Sequence, residues 1–99
     1  MSDIKKECYI LLSLIPKGRI TNYKILANAL STNAYRYIGQ LMKKNPNPIK
    51  LPCHRVVCSD GSIGGYLYGQ KKKIELLKNE GVEVYNCKVV DFKKKLHFF

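Results

Sequence analysis

The residues with the clearest chemical capacity are a neighbouring thiol and imidazole, Cys53 and His54, in the proline-framed segment NPNPIKLPCHRVV. A cysteine thiol has a pKa of about 8.5, so it needs a nearby base or cation to become a ready nucleophile at neutral pH. Adjacent side chains of a strand point to opposite faces, and a direct contact between them therefore requires a turn or a bridging water. Prolines at positions 46, 48 and 52 favour an irregular backbone. The residues alone leave open a catalytic nucleophile or a buried structural cysteine.

A metal site or a disulfide is the main alternative use of the thiols. The chain has four cysteines, Cys8, Cys53, Cys58 and Cys87. Cys53 and Cys58 have four residues between them, a spacing found in some zinc sites. Besides His54 and His97, the sequence offers no second cluster of ligands. We therefore expect no metal and no cofactor, and we interpret Cys58 and Cys8 as packed thiols.

The charge of the chain points to a polyanionic partner. Eighteen Lys and Arg residues against seven Asp and Glu residues give a net charge of +11 over 99 residues, a length that suits one domain with one modest core. A nucleic acid explains this excess better than a membrane surface does. The alternative is that the lysines merely keep a small protein soluble.

The apolar segments are too short to suggest a membrane protein. The longest run, CYILLSLI, is far below the about 20 residues that a membrane span needs, and no secretion signal is visible. These features predict an intracellular protein, cytoplasmic or, in a eukaryote, nuclear. A reducing compartment argues against disulfides.

The spacing of apolar residues predicts a mainly α-helical domain. The predicted helices cover residues 3–15, 22–30, 34–44 and 70–80. Thr21 is expected to cap the second helix and the STN segment at 31–33 to cap the third, which together are typical of a helix-turn-helix. NPNP at 45–48 cannot continue the third helix, and the segment 49–58 is expected to be a buried turn and strand. A glycine-rich loop follows it, up to the last helix.

The third helix has an unusual exposed face, whose residues are Tyr35, Arg36, Gly39, Gln40, Lys43 and Lys44. Ile38, Leu41 and Met42 are expected to point inward. A glycine inside a helix costs about 1 kcal/mol relative to alanine. Gly39 therefore indicates close approach, either of DNA or of another helix.

The segment around Cys53 resembles the signature of the O6-alkylguanine-DNA alkyltransferases, whose core is a Pro-Cys-His-Arg-Val box. The resemblance covers about residues 3–84 and rests on these segments: GRITNYKILANAL, YRYIGQLMKKNPNP, NPNPIKLPCHRVVCSDGSIGGY and KKKIELLKNEGV. It implies a winged helix-turn-helix-like catalytic domain, mainly α with a short strand or hairpin. It also implies direct-reversal DNA repair.

The resemblance implies a role for each catalytic residue. Cys53 is similar to the acceptor thiol, which takes the alkyl group from guanine O6 once per molecule. His54 would remove the thiol proton through a bridging water, and Glu80 would orient this histidine. Tyr23 would donate a hydrogen bond to guanine N3, and Asn45 would tie the recognition helix to the active-site segment. Read without the resemblance, Tyr23 is also consistent with a core residue and Glu80 with a solvated helix end.

The resemblance also implies how double-stranded DNA is bound, through the minor groove and with the damaged guanine rotated out of the duplex. Arg36 would fill the vacated place in the stack, although Tyr35 and Tyr37 beside it are bulkier than the alanines expected there. The implied DNA contacts are Tyr35, Arg36, Gly39, Lys43 and Ser59. The implied base pocket is Met42, Pro48, Val56, Tyr66, Leu67 and Lys73, with the carbonyls of Cys53 and Val56 and the amide of Leu67 contacting the guanine.

We expect residues 1–84 to form the catalytic, DNA-binding domain of a monomer. Residues 85–99 are expected to be a basic tail, either packed on that domain or partly ordered. The additional amino-terminal domain of most relatives is expected to be absent. Two other functions stay open: an alkyltransferase-like protein that binds lesions without repair, and a plain winged-helix regulator. The lesion binders commonly replace the acceptor cysteine with tryptophan, whereas this chain has Cys53 and no tryptophan. The preferred alkyl group, activity on O4-alkylthymine and the role of the tail do not follow from the sequence.

Overall fold

The computed structural model describes residues 4–48 and 50–99, and it is mainly helical with short strands. The helices are α1 (Ile4–Ser13), α2 (Tyr23–Ala29), α3 (Tyr35–Lys43), α4 (Gln70–Asn79) and α5 (Phe92–Lys95). The strands are β1 (Thr21–Asn22), β2 (Val56–Val57), β3 (Val84–Tyr85) and β4 (Lys88–Val89), and one 3-10 helix covers Cys53–Arg55. The predicted fold class, mainly α with a short hairpin, is confirmed. Among the described residues, no helix combines the length and apolar character required to cross a membrane.

Helices α2 and α3 form the helix-turn-helix pair, but their ends differ from the prediction. Asn22, not Thr21, caps α2: its side-chain oxygen accepts from the Ile25 amide at 2.8 Å. The Thr21 hydroxyl instead donates to the carbonyl of His97 at 3.0 Å, because Thr21 lies in β1 beside the carboxy-terminal segment. α3 begins after Ala34, which cannot provide a side-chain cap.

The first core lies between α1, α2 and α3 and includes the active-site turn. Its buried members are Cys8, Leu12, Ile15, Leu26, Ala27, Leu30, Ile38, Leu41, Met42, Cys53 and Val56. The apolar stripes of α1, α2 and α3 supply most of these residues, as their helical spacing predicted. Burial of the Cys8 thiol in this core raises its pKa to about 11, so Cys8 is a packing residue and a poor nucleophile.

Strands β1 and β2 pair in parallel, with Thr21 opposite Val56 and Asn22 opposite Val57. Parallel neighbours require a crossover, which α2, α3 and the proline segment provide here. The pairing places Tyr23, the first residue of α2, beside the Cys53–Arg55 turn. Two residues that are distant in sequence are thereby brought to one site.

The carboxy-terminal segment packs on a second core. The buried members of this core are Ile20, Val57, Ile63, Leu77, Val82 and Val89, with Ile74, Val84, Phe92 and Leu96 against them. β3 and β4 form an antiparallel hairpin, and Leu96 bridges Ile20 in parallel. The Phe92 ring covers Gly61, whose φ is 88°.

We predict that Gly61→Ala destabilises the protein by about 3 kcal/mol, from left-handed backbone strain and overpacking together. An added Cβ would lie 2.5 Å from Cδ1 of Phe92. Urea unfolding followed by circular dichroism measures the change. Gly65→Ala is the matched control, since a Cβ there has no described neighbour within 4 Å. Equal stability of the two variants would contradict the packing of Phe92 on Gly61.

Candidate active site

Cys53 and His54 lie in a tight 3-10 turn, not in a strand. The Cys53 amide donates to the carbonyl of Leu51 at 2.7 Å, and the Arg55 amide donates to that of Pro52 at 3.0 Å. The alternation of a strand therefore does not apply to the two side chains. Both residues are buried, with 3% of Cys53 and 4% of His54 exposed.

Cys53 lines a cleft of about 300 Å³. Its lining residues are Tyr23, Gly39, Met42, Lys43, Cys53, Gly65, Tyr66 and Leu67. α3 supplies one wall, the glycine-rich segment before α4 supplies the other, and the first residue of α2 contributes between them. This volume is at the small end of the range for small-molecule sites and suits a planar, partly apolar ligand. Of the lining residues, Tyr66 packs edge-on against Tyr68, with ring centroids 5.7 Å apart.

The environment of Cys53 keeps the thiol protonated until a base acts on it. Burial raises its pKa above the usual value, while the Asn45 side chain and the positive charge of Lys73 oppose this shift only in part. A thiol in this state is stable at rest and needs an adjacent proton acceptor to react.

His54 has the properties of that acceptor. Its Nε2 lies 3.0 Å from Oε2 of Glu80, and since an ionised carboxylate only accepts, we assign the proton to Nε2. The other nitrogen, Nδ1, is buried and has no hydrogen-bond partner among residues 4–48 and 50–99. Burial lowers the pKa of His54, although Glu80 opposes the shift, so the ring is neutral at pH 7 with a lone pair at Nδ1.

Glu80 is held by two residues. Arg55 donates from Nε to Oε1 at 2.9 Å and from Nη2 to Oε2 at 2.6 Å, and its Nη1 donates to the carbonyl of Ile15 at 2.6 Å. Burial by itself would raise the pKa of Glu80, but the hydrogen bonds from Arg55 and His54 outweigh it and hold the pKa below its usual value. Glu80 is the C-cap of α4, where the helix dipole also disfavours an anion. The bidentate guanidinium offsets this cost.

Arg55 was missed as a functional residue by the sequence analysis. Its signal was present, since an arginine between buried residues of an apolar segment requires a carboxylate or several carbonyls as partners. The sequence did not show that Glu80 is this partner, because 25 positions separate the two residues.

Asn45 connects the end of α3 to the segment before Cys53. Its Nδ2 donates to the carbonyl of Leu51 at 2.6 Å, and its Oδ1 accepts from the Asn47 amide at 2.9 Å. Because the Cys53 amide also donates to Leu51, a single carbonyl receives hydrogen bonds from both sides of the turn. This geometry supports the sequence-based interpretation of Asn45 as a tie between helix and active-site segment.

Lys73 is fully buried, with 0% of its surface exposed. Its Nζ donates to the carbonyl of Val56 at 2.7 Å and to that of Gly65 at 3.0 Å, so it joins β2 to the glycine-rich wall of the cleft. Burial lowers the pKa of Lys73 to about 8, while the thiols of Cys58 and Cys53 act in the opposite direction.

The residues predicted for the site fall into two groups. Those that line the cleft are Tyr23, Gly39, Met42, Lys43, Cys53, Tyr66 and Leu67. Those outside its lining are Tyr35, Arg36, Asn45, Pro48, His54, Val56, Ser59, Lys73 and Glu80. In the second group, His54, Glu80 and Asn45 lie behind Cys53, whereas Tyr35, Arg36 and Ser59 are exposed on the surface. Val56 is buried in the first core, and Lys73 already occupies its carbonyl.

Gly39 lies on the cleft side of α3. A Cβ at this position would meet no heavy atom of the described residues within 4 Å. Packing of one helix on another therefore does not require a glycine here.

Fold and site together define a helix-turn-helix domain with a cysteine in the lining of a cleft and a largely buried His–Glu–Arg network beside it. The family model described as "6-O-methylguanine DNA methyltransferase, DNA binding domain" matches residues 3–82. The chain belongs to this family.

Two curated relatives illustrate the match. The chain is 48% identical over 81 residues to the methylated-DNA–protein-cysteine methyltransferase of Pyrobaculum aerophilum, covering 82% of this chain and 53% of the relative. It is 47% identical over 82 residues to the human protein of the same name, covering 81% and 39%. The chain thus spans about half or less of the length of these relatives.

Two solved structures are similar over different lengths. The O6-methylguanine-DNA methyltransferase of Pyrococcus kodakaraensis has a TM-score of 0.73 and 43% identity, covering 83% of this chain and 48% of that one. The S. pombe ATL in complex with DNA has a TM-score of 0.82 and 26% identity, covering 98% and 96%. The fold extends over almost the whole chain in the second case.

We predict that Glu80→Gln lowers the unfolding free energy by about 2 kcal/mol at neutral pH, since charge-assisted hydrogen bonds to Arg55 and His54 are lost. The folded-state pKa of Glu80 is depressed, so this stabilisation exists above the usual pKa of 4.5 and is lost as the pH falls below it. The difference between variant and wild type should therefore shrink in acid, as measured by urea unfolding. Glu75→Gln, on the exposed side of α4, is the control. A pH-independent difference would contradict the ionised state of Glu80.

Proposed function

We propose that this chain repairs DNA by direct reversal, transferring a methyl or other alkyl group from guanine O6 to Cys53 once per molecule. The observation that supports this most is the position of Cys53 at the base of a cleft with His54 and Glu80 behind it. The bond from the alkyl carbon to oxygen breaks, and a bond from that carbon to the Cys53 sulfur forms. The thioether is not hydrolysed, so the protein is consumed.

In this mechanism the Cys53 proton passes through a bridging water to Nδ1 of His54. The charge that develops on the imidazole is stabilised by Glu80, in the nucleophile–base–orienter arrangement of hydrolytic triads. The thiolate then attacks the alkyl carbon in line with the leaving oxygen, in an SN2-like displacement.

Tyr23 is proposed to stabilise the leaving guanine. Burial raises the pKa of its hydroxyl above the usual value, so the hydroxyl is protonated at neutral pH and available to donate. A hydrogen bond to guanine N3 offsets the negative charge that develops as the base leaves, which is stabilisation of the transition state. Its place in the cleft lining supports this role.

The base pocket is proposed to use the apolar and aromatic residues of both cleft walls. Met42 and Tyr66 line it directly, and the Leu67 amide is proposed to donate to O6. Pro48 would close the pocket from the segment after α3. The carbonyls of Cys53 and Val56 would accept from the guanine amino group, with Val56 shared between the base and Lys73.

The partner is proposed to be double-stranded DNA, bound by a monomer through its minor groove. The buried thiol is out of reach of a stacked base, so the guanine must be rotated out of the duplex. Arg36, exposed in the first turn of α3, would fill its place, and Gly39 would permit close approach. Tyr35, Lys43 and Ser59 would contact the adjacent DNA backbone. The net charge of +11 favours binding to this polyanion.

The catalytic domain is proposed to comprise residues 1–84, with residues 85–99 as a basic extension of the same body. Repair of DNA places the protein inside the cell, in the cytoplasm or, in a eukaryote, in the nucleus. No cofactor or metal enters the proposed reaction, because the acceptor, the base and its orienting groups are all side chains of this chain.

A lesion-binding protein without repair activity is the second candidate. The S. pombe ATL structure in complex with DNA is similar to 98% of this chain, which is a likeness of fold and does not distinguish binding from repair. The cysteine in the cleft favours transfer instead, and the two functions differ in one product, the alkylated thiol.

We predict that reduced protein incubated with duplex DNA containing O6-methylguanine gains the mass of one methylene group, on the peptide that carries Cys53. Intact-mass and peptide mass spectrometry measure it. Cys53→Ser should gain nothing, while Cys58→Ser should react like wild type. Binding without any adduct would establish the lesion binder, and an adduct on Cys58 would contradict the site.

We predict that Arg36→Ala slows repair of duplex DNA about tenfold or more. A factor of ten corresponds to about 1.4 kcal/mol less stabilisation of the state in which the base is extruded. Reaction with free O6-benzylguanine should be nearly unchanged, because no base has to leave a stack. Single-turnover rates on both substrates measure this. Lys78→Ala, an exposed cation of α4, controls for the loss of charge alone. Equal losses on both substrates would argue against a role in extrusion.

A further inference from the structure

We propose that the carboxy-terminal segment, residues 84–99, is a clamp that positions both walls of the Cys53 cleft. This segment lies beyond residue 82, where the match to the family model ends. This inference rests on the proposed function in one respect, the identity of the ligand that binds in the cleft. The contacts of the clamp are independent of that ligand.

The first arm of the clamp holds the loop between β2 and the glycine-rich wall. The Val89 amide donates to the carbonyl of Gly61 at 2.9 Å, and the Ile63 amide donates to that of Cys87 at 2.8 Å. The Phe92 ring covers Gly61 so closely that a Cβ there would lie 2.5 Å from it. The hairpin and α5 thus fasten this loop by its backbone and by packing.

That loop leads directly into a cleft wall. Gly65 and Tyr66, which line the cleft, follow Ile63 by two and three residues. Gly65 and Gly69 have open space around them, since an added Cβ at either would find no described heavy atom within 4 Å. Tyr66 and Leu67 pack this wall against the first core, whereas its glycines add no packing, so its backbone is held at Ile63 by the clamp and at Gly65 by Lys73.

The second arm holds β1. The Ile20 amide donates to the carbonyl of Lys95 at 3.0 Å, and the His97 amide donates to that of Ile20 at 2.6 Å. The Thr21 hydroxyl donates to the carbonyl of His97 at 3.0 Å. Leu96 thereby forms a parallel bridge with Ile20, the residue just before β1, in addition to the pairing of β1 with β2. Tyr23, which lines the cleft, follows Thr21 by two residues.

The two arms meet in the second core, where Phe92 and Leu96 pack against the same buried residues. The clamp therefore connects the segment that carries Tyr23 to the segment that carries Tyr66. Its residues do not line the Cys53 cleft. They are positioning residues, and they act on how the walls are spaced rather than on the reacting sulfur.

Phe92→Ala tests the clamp. We expect the saturation constant of the Phe92→Ala variant for free O6-benzylguanine to rise about fivefold or more, because misplaced cleft walls bind the purine ring poorly. Alkylation of Cys53 by iodoacetamide, which is too small to need both walls, should stay at the wild-type rate or become faster. Phe92→Leu should restore much of the binding. Phe98→Ala is the matched control, since that ring is 66% exposed.

Hydrogen exchange at the Ile63 amide reports the first arm, and exchange at the His97 amide reports the second. Thr21→Val removes one hydrogen bond of the second arm without loss of side-chain volume. Faster exchange at both amides in folded Phe92→Ala, together with the split between the two reagents, supports the clamp. Wild-type exchange, or a wild-type saturation constant in a folded but less stable variant, overturns it. If wild-type protein does not react with O6-benzylguanine or alkylated DNA, the proposed function fails, and hydrogen exchange at the Ile63 and His97 amides still decides the clamp.

Discussion

The site depends on one partly buried carboxylate. Glu80 lies where both burial and the end of α4 disfavour a negative charge, and its hydrogen bonds to Arg55 and His54 outweigh burial and hold its pKa below the usual value. In return it sets the tautomer of His54 and leaves Nδ1 free to accept a proton. Through Arg55, which also donates to Ile15, the same carboxylate joins the end of α1, the active-site turn and α4. The contacts of Glu80 that are proposed to serve catalysis therefore also hold together parts of the tertiary structure.

The cleft combines this network with walls from separate parts of the chain. The β1–β2 pairing brings Tyr23 beside the turn of Cys53, and buried Lys73 ties β2 to Gly65. A lysine without exposed surface is costly, and the two carbonyls that accept from it offset part of that cost. The glycines of the other wall, Gly65 and Gly69, contribute no packing, so the contacts that Lys73 and the carboxy-terminal segment make with its backbone hold it in place.

Much of the fold followed from local pattern. Apolar spacing predicted the four long helices to within a few residues, and the motif around Cys53 indicated the family that the comparisons show. The helix caps did not follow, because Thr21 and Asn22 are both suitable by type. In the structure the Thr21 hydroxyl donates to the carbonyl of His97, and Asn22 caps the helix instead. The residue types at positions 21 and 22 do not indicate a partner so distant in sequence.

The sequence by itself determined which chemical groups are available, their order along the chain and the helices that carry them, since periodicity and motif spacing are local properties. Only the tertiary structure decided that Arg55 is the partner of Glu80, that Lys73 is buried on two carbonyls, and that the carboxy-terminal segment packs behind the cleft. It also decided that Gly39 faces open space and not a helix. These are contacts between residues far apart in the chain, and they form only when the two cores pack together.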